Sequence, residues 1–145
     1  MNERVVLFVD DEEHILKTIQ RVVHRKPFKA VFAESGPAAL KLLESQEVHV
    51  IVTDMRMPEM TGLQLLREVK GKHPQIVRVV LSGYTHITTL LTAINQGEIF
   101  RYITKPWENN DELVSVVMEA LEHFERTAST LAVAASAPPA TETGA

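Results

Sequence analysis

Asp10, Asp11, Asp54, Ser82 and Lys105 are the residues whose types can act together on a phosphoryl group or a cation. Each closes or directly follows a short apolar run. Asp10 and Asp11 follow Val5–Val9, Asp54 follows Val48–Val52 and Thr53, Ser82-Gly83 follows Ile76–Leu81, and Lys105 follows Ile99–Ile103 and Thr104. Three carboxylates gathered in one cleft repel one another. A hard divalent cation removes that conflict, and an all-oxygen donor set suits Mg²⁺, which keeps several waters and needs few protein ligands. An aspartate carboxylate is also a nucleophile that forms an acyl phosphate. Phosphoryl transfer needs positioning, Mg²⁺ and positive charge on the equatorial oxygens. Lys105 has that charge, and the Ser82 hydroxyl can donate a hydrogen bond.

Taken singly, each residue has a plainer reading. Asp10-Asp11 suits the cap and first turn of a helix. Asp54 suits a turn, as does Ser82-Gly83, and Lys105-Pro106 suits a solvated loop. What joins them is position at the ends of strands.

The five apolar runs, with Ala30–Ala33 as the second, are mostly rich in Val, Ile or Phe and read as buried strands. Between them the apolar spacing changes to three and four. Ile15, Ile19, Val22 and Val23 share a helical face, as do Leu40 and Leu43, then Leu65, Leu66 and Val69, then Leu90, Leu91 and Ile94. A fifth helix carries Leu113, Val116, Val117, Ala120, Leu121 and Phe124. Gly36-Pro37 opens the second helix, Thr61-Gly62 restarts helix after Pro58, and Gly97 stops the fourth. Asn109, Asn110 and Asp111 suit the cap of the last. Alternating strands and helices predict an α/β fold with a parallel sheet covered on both faces. In the flavodoxin-like order 2-1-3-4-5, strands 1 and 3 flank the switch point, where ligands bind outside the strands' carboxyl ends. Asp10, Asp11 and Asp54 then meet there, with Ser82 and Lys105 arriving from the neighbouring strands.

The chain has 145 residues, 45% of them hydrophobic, which suits one domain with a real core. Its formal net charge of -4 argues against a nucleic-acid surface. It has no cysteine, so disulfide and thiolate chemistry are excluded. The first apolar run is too short for a signal-peptide core, and no segment reaches membrane-spanning length. A soluble cytoplasmic protein is expected. After Arg126 the composition turns to Ala, Ser, Thr and Pro, with Glu142 the one charged residue. A domain over residues 1–126 and a disordered tail or truncated linker over 127–145 are expected. The histidines at 14, 24, 49, 73, 86 and 123 have no metal-ligand spacing and read as surface or helix residues.

Over residues 3–126 the chain resembles the receiver domain of two-component response regulators. The resemblance is carried by Val-Leu-Phe-Val-Asp-Asp-Glu, Val-Thr-Asp-Met-Arg-Met-Pro-Glu-Met-Thr-Gly, Leu-Ser-Gly-Tyr and Tyr-Ile-Thr-Lys-Pro-Trp. It implies that a histidine kinase or phosphotransfer protein phosphorylates Asp54. It implies Mg²⁺ on the side chains of Asp11 and Asp54 and the backbone carbonyl of Arg56, with Asp10 acting through water. Ser82 and Lys105 would bind the phosphoryl group, and Tyr102 would be the aromatic that turns inward on activation. Arg56 and Tyr84 occupy the places that tune the phosphoryl group's lifetime. The signal would leave through helix 4, strand 5 and helix 5, to a downstream protein or in a homodimer. The stretch from Ala93 to Trp107, with Ala-Leu-Glu-His-Phe-Glu after it, is similar to receivers linked to HD-GYP domains; no HD-GYP domain is present, so no cyclic-di-GMP hydrolysis is expected.

Such a protein is a switch rather than an enzyme, with at most self-phosphorylation from small donors and self-dephosphorylation. The alternative is a haloacid-dehalogenase-like phosphatase with Asp54 as nucleophile. That family has Asp-X-Asp, and here the third position is Arg56. A nucleotide-binding module lacks its glycine-rich motifs.

Overall fold

The computed structural model describes residues 3–83, 87–105 and 110–136. Tyr84 and Trp107 lie outside them. Ten elements alternate: β1 (Val5–Val9), α1 (Glu13–Val23), β2 (Lys29–Ala33), α2 (Gly36–Ser45), β3 (Val50–Asp54), α3 (Gly62–Lys72), β4 (Val77–Ser82), α4 (Ile87–Asn95), β5 (Arg101–Thr104) and α5 (Asn110–Ser136). All the strand pairings are parallel, in the order β2-β1-β3-β4-β5. The alternating pattern predicts the parallel sheet, and its order is the flavodoxin-like one expected.

Period-two alternation sends successive strand side chains to opposite faces. Leu7, Val9, Ile51 and Val80 join a core with α2, α3 and α4. Val6, Phe8, Val50, Val52, Val79 and Leu81 join a second core with α1 and α5. Covered on both faces, β1 and β3 are buried along their whole length. That is why they read as continuous apolar runs rather than alternating ones. Each fully buried Leu, Ile or Phe contributes about 1.5–3 kcal/mol relative to exposure.

Helix starts follow local chemistry. Ser35 caps α2, its hydroxyl accepting from the Ala38 N–H at 3.1 Å, with Pro37 in the first turn. Thr61 caps α3 in a reciprocal box with Gln64, at 3.2 and 2.9 Å. Gly97, just beyond α4, has φ +74°, the left-handed conformation that glycine takes without strain.

Three sequence expectations differ from the structure. Leu91 is 49% exposed beside fully buried Leu90, because one residue step turns a helix by about 100° and carries it off the core face. His49 is 3% exposed, not a surface histidine, because its Nδ1 accepts the Val5 N–H at 2.9 Å and its ring meets Phe124 edge-on. Finally, α5 runs past Arg126 to Ser136, into the stretch expected to be tail. Its alanines are strong helix formers, so the shift in composition does not stop the helix. No helix of the described residues is long and apolar enough to cross a membrane.

Candidate functional site

Strand register builds the site. Val9 lies opposite both Ala33 and Thr53, Asp54 opposite Leu81, and Ser82 opposite Thr104. Asp10 and Lys105, each one residue beyond its strand, therefore emerge on the same edge of the sheet as Asp54 and Ser82. The β4–β5 ladder continues one step further, where the Lys105 N–H donates to the Ser82 carbonyl at 2.7 Å. That bond anchors the lysine backbone before its side chain reaches across β4 towards β3.

Carboxylate oxygens of Asp10, Asp11 and Asp54 lie within 4.8 Å of one another. Asp10 is fully buried, Asp54 is 8% exposed and Asp11 faces solvent. Lys105 Nζ stands 2.9 Å from Asp10 Oδ2 and 3.1 Å from Asp54 Oδ1. Asp10 Oδ1 accepts the Glu12 N–H at 2.9 Å, so the turn into α1 fixes this carboxylate. Glu12 occupies the cap position of α1 and makes no side-chain cap bond. Asp10 Oδ2 is buried and, for all its closeness to Lys105, has no aligned hydrogen-bond donor among the described residues. The Lys105 ammonium at that distance compensates the carboxylate's charge.

The titration behaviour follows. Burial pushes the Asp54 carboxyl above its usual range, the Asp10 charge adds to the rise, and Lys105 only partly opposes it. Burial would lower Lys105, but the two carboxylates outweigh it and hold its ammonium above the ordinary lysine value.

This donor set fits a hard divalent cation. It is all oxygen, carries three carboxylates, and includes a buried carboxylate oxygen with no aligned hydrogen-bond donor among the described residues. The pocket is acidic and able to bind a metal.

The remaining expected residues are nearby in the chain but differ in setting. Ser82 is buried, and its hydroxyl donates to the Gly83 carbonyl at 3.2 Å. Tyr102 is half-buried on β5 and packs against the α2–α3–α4 core. Arg56 is exposed and lines a shallow hollow of about 360 Å³ with Asp11, Met57, Pro58 and Thr61.

Two further residues shape the carboxyl end of β3 at Asp54. The buried Thr53 hydroxyl donates to the Asp54 carbonyl at 3.1 Å. Gly62 donates its N–H to the Met55 carbonyl at 2.9 Å, and a Cβ built on it would fall 2.1 Å from the Asp54 carbonyl oxygen. Only a glycine lets the start of α3 approach β3 this closely. The Thr-Gly pair marks the helix start in the sequence; the proximity to Asp54 is visible only in three dimensions.

The response regulator receiver domain family model matches residues 6–118. The chain belongs to the response-regulator receiver family. Receivers of this kind are regulatory phosphoacceptors rather than metabolic enzymes, and they interact with histidine kinases and effector domains. Among the relatives of this receiver is the hydrogenase transcriptional regulatory protein HoxA of Cupriavidus necator. It is 38% identical over 120 residues, 83% of this chain and 24% of HoxA. The receiver thus spans about a quarter of that relative's length. The signal receiver domain of an HD domain-containing protein from Pseudomonas fluorescens Pf-5 superposes with a TM-score of 0.80 at 34% identity, covering 86% of this receiver and 99% of its own chain. The response regulator TrrA of Thermotoga maritima, in complex with Mg²⁺-BeF, superposes with a TM-score of 0.71 at 26% identity, covering 81% and 98% of the two chains.

Proposed function

We propose that this receiver accepts a phosphoryl group on Asp54 from the phosphohistidine of a kinase or phosphotransfer protein, and that phosphorylation switches the α4–β5–α5 face. The observation that carries the reading is the Asp54 carboxylate at the end of β3, with the Lys105 ammonium at 3.1 Å and two further carboxylates beside it. An Asp54 oxygen attacks phosphorus, the donor's P–N bond breaks, and the imidazole leaves with the bonding pair. Lys105 then exchanges a carboxylate oxygen for a phosphoryl oxygen and holds the group's charge.

The metal that suits this site is Mg²⁺, held by the side chains of Asp11 and Asp54 and the Arg56 carbonyl, with Asp10 acting through water. When bound, it supplies positive charge on the phosphoryl oxygens. The TrrA neighbour's complex with Mg²⁺-BeF supports that choice.

Ser82 is the sensor in this reading. Its hydroxyl donates to Gly83 in the resting geometry, and a phosphoryl oxygen on Asp54 offers a stronger, charged acceptor. Turning towards it draws the β4 end inward and gives Tyr102 room to follow. The α4–β5–α5 face changes shape for a downstream protein or a second copy. Arg56, and Tyr84 by its sequence position two residues after Ser82, tune the hydrolysis of the phosphoryl group. The receiver unit is residues 1–126, the rest being tail or linker that α5 enters as helix, and the setting is cytoplasmic. Direct nucleic-acid or membrane contact is not part of this reading.

Beryllofluoride with Mg²⁺ tests the coupling: resonances at Ser82 and Tyr102 should shift with those at Asp54. Shifts confined to the acidic cleft would refute the coupling. Repeated turnover of assorted phosphomonoesters would instead point to a phosphatase, which exposed Arg56 in the general-acid place argues against.

A further inference from the structure

At the opposite edge of the sheet from Asp54, a cleft of about 310 Å³ opens beneath the N-terminal end of β4. Its wall includes Ile94, Ile99 and Phe100 on the apolar side, and Arg78, His123 and Gln75 on the polar side. No described residue lining it is acidic. An adjoining hollow of about 250 Å³ shares Gln75 and Thr127 and is closed by Phe124 and Ala128. Together they follow α5 where it departs from the sheet.

Arg78 interrupts the apolar run of β4, and its side chain explains how the cleft is held. Nε donates to the Glu98 carbonyl at 2.9 Å, Nη1 to Pro74 and Ile76 at 3.3 and 3.0 Å, and Nη2 to Gly97 at 3.2 Å. These bonds clamp the loop before β4 to the turn after α4. They satisfy four of the five guanidinium N–H groups but neutralise no charge. No carboxylate pairs with Arg78 among the described residues. The nearby Glu98 carboxylate is engaged by Arg67 at 3.2 Å. An arginine held partly out of water without a counter-ion is costly, and burial lowers its pKa.

His123 adds a second feature. Its ring stacks on Phe100 with centroids 4.6 Å apart and 25° between planes, and neither ring nitrogen has a hydrogen-bond partner among the described residues. Burial and then Arg126, Arg101 and Arg78 hold it below the usual histidine range, so the local field is positive. Arg101 and Arg126 are each paired with a glutamate on α5, at 3.6 and 3.8 Å. Among the described residues, Arg78 is the one of these three arginines with no carboxylate partner.

We propose that this cleft binds a small organic anion, a carboxylate or phosphate carried on an apolar body, and that its occupant braces α5 where the helix leaves the sheet. The anion neutralises Arg78 and takes the remaining Nη2 hydrogen and the His123 edge, while the apolar body fills the space beside Ile94, Ile99 and Phe100. A well-formed cavity with an apolar wall and a few convergent polar groups is the usual form of a small-ligand site. Because His123 and Thr127 lie on α5, occupancy reaches the helix that carries the chain onward from the receiver, independently of Asp54.

The test is an NMR titration of the full chain with four probes. Benzoate and phenyl phosphate separate a carboxylate ligand from a phosphate one. Benzyl alcohol keeps the ring without the charge, and acetate keeps the charge without the ring. We expect one of the two aromatic anions to shift Ile94, Ile99, Phe100 and His123 saturably, and both controls to bind about tenfold or more weakly. Amide exchange should slow around Phe124–Ala128 on saturation. Since Arg78→Gln also unclamps two loops, Thr127→Trp, which fills the cleft from the surface of α5, serves as the blocking variant and should abolish the shifts while the fold persists. No saturable shift, equal binding of benzyl alcohol, shifts centred on Asp54, or unchanged binding in Thr127→Trp would each overturn the proposal.

Discussion

Lys105 Nζ lies 3.1 Å from Asp54 Oδ1, so a cation from β5 reaches a carboxylate on β3 across the intervening strand. It also lies 2.9 Å from Asp10 Oδ2. Without it, two buried carboxylates lose the ammonium that stands between them. Lys105→Met should therefore destabilise the metal-free protein at neutral pH by about 2 kcal/mol. The loss should shrink in Lys105→Met/Asp54→Asn, because the second change removes the repulsion that the first exposes. Urea unfolding of the four proteins measures both.

The pH dependence has a definite sign. The folded-state pKa of Asp54 is raised, by burial first and Asp10 second, so the native chain holds this proton more tightly than the unfolded chain. The associated stability is complete below the ordinary carboxylate pKa and is lost as pH rises through the raised folded value. Asp54→Asn removes that loss. The variant should be more stable than the parent at neutral pH without divalent cations, and the gap should close on acidification. Urea midpoints across the acid range check it. The Lys105 contribution is lost in the alkaline range instead, as pH rises through its own raised value.

Divalent cations should stabilise the native state by linkage. At a hundred times its dissociation constant, a bound Mg²⁺ adds about 2.7 kcal/mol. The rise in Tm should be lost in Asp11→Asn and in Asp54→Asn, because each removes a carboxylate from the cluster within 4.8 Å. A thermal scan with and without Mg²⁺ separates this from the intrinsic stability change of each variant.

Gly62→Ala tests the close approach of α3 to β3. The added Cβ would meet the Asp54 carbonyl oxygen at 2.1 Å, and that atom is backbone. The start of α3 must move, at a cost of about 2–3 kcal/mol. Because the displaced backbone carries Asp54, phosphorylation should slow as well. Loss of stability with an unchanged phosphorylation rate would show that α3 yields without disturbing the site.

The sheet and the site were legible for the same reason. Strands buried on both faces appear as apolar runs, and a polar residue at the end of such a run stands out, as Asp10, Asp54 and Lys105 do. His49 was not legible: the group it satisfies is the Val5 N–H, distant in sequence, and no periodic pattern marks a single buried polar side chain. Leu91 is not legible either, because adjacent leucines look alike in sequence while the helix turns one outward. The extension of α5 was hidden because alanine-rich composition suits both a tail and a helix. The proximity of Gly62 to Asp54 depends on how α3 docks, which local sequence does not encode.

In the proposed switch, Asp54 receives the phosphoryl group. Incubation of the full chain with acetyl phosphate and Mg²⁺, followed by intact-mass measurement, tests it most directly. One labile phosphoryl group should appear on the parent protein and be absent from Asp54→Asn. An equal gain in Asp54→Asn, or none in a folded parent protein that binds Mg²⁺, would contradict the account.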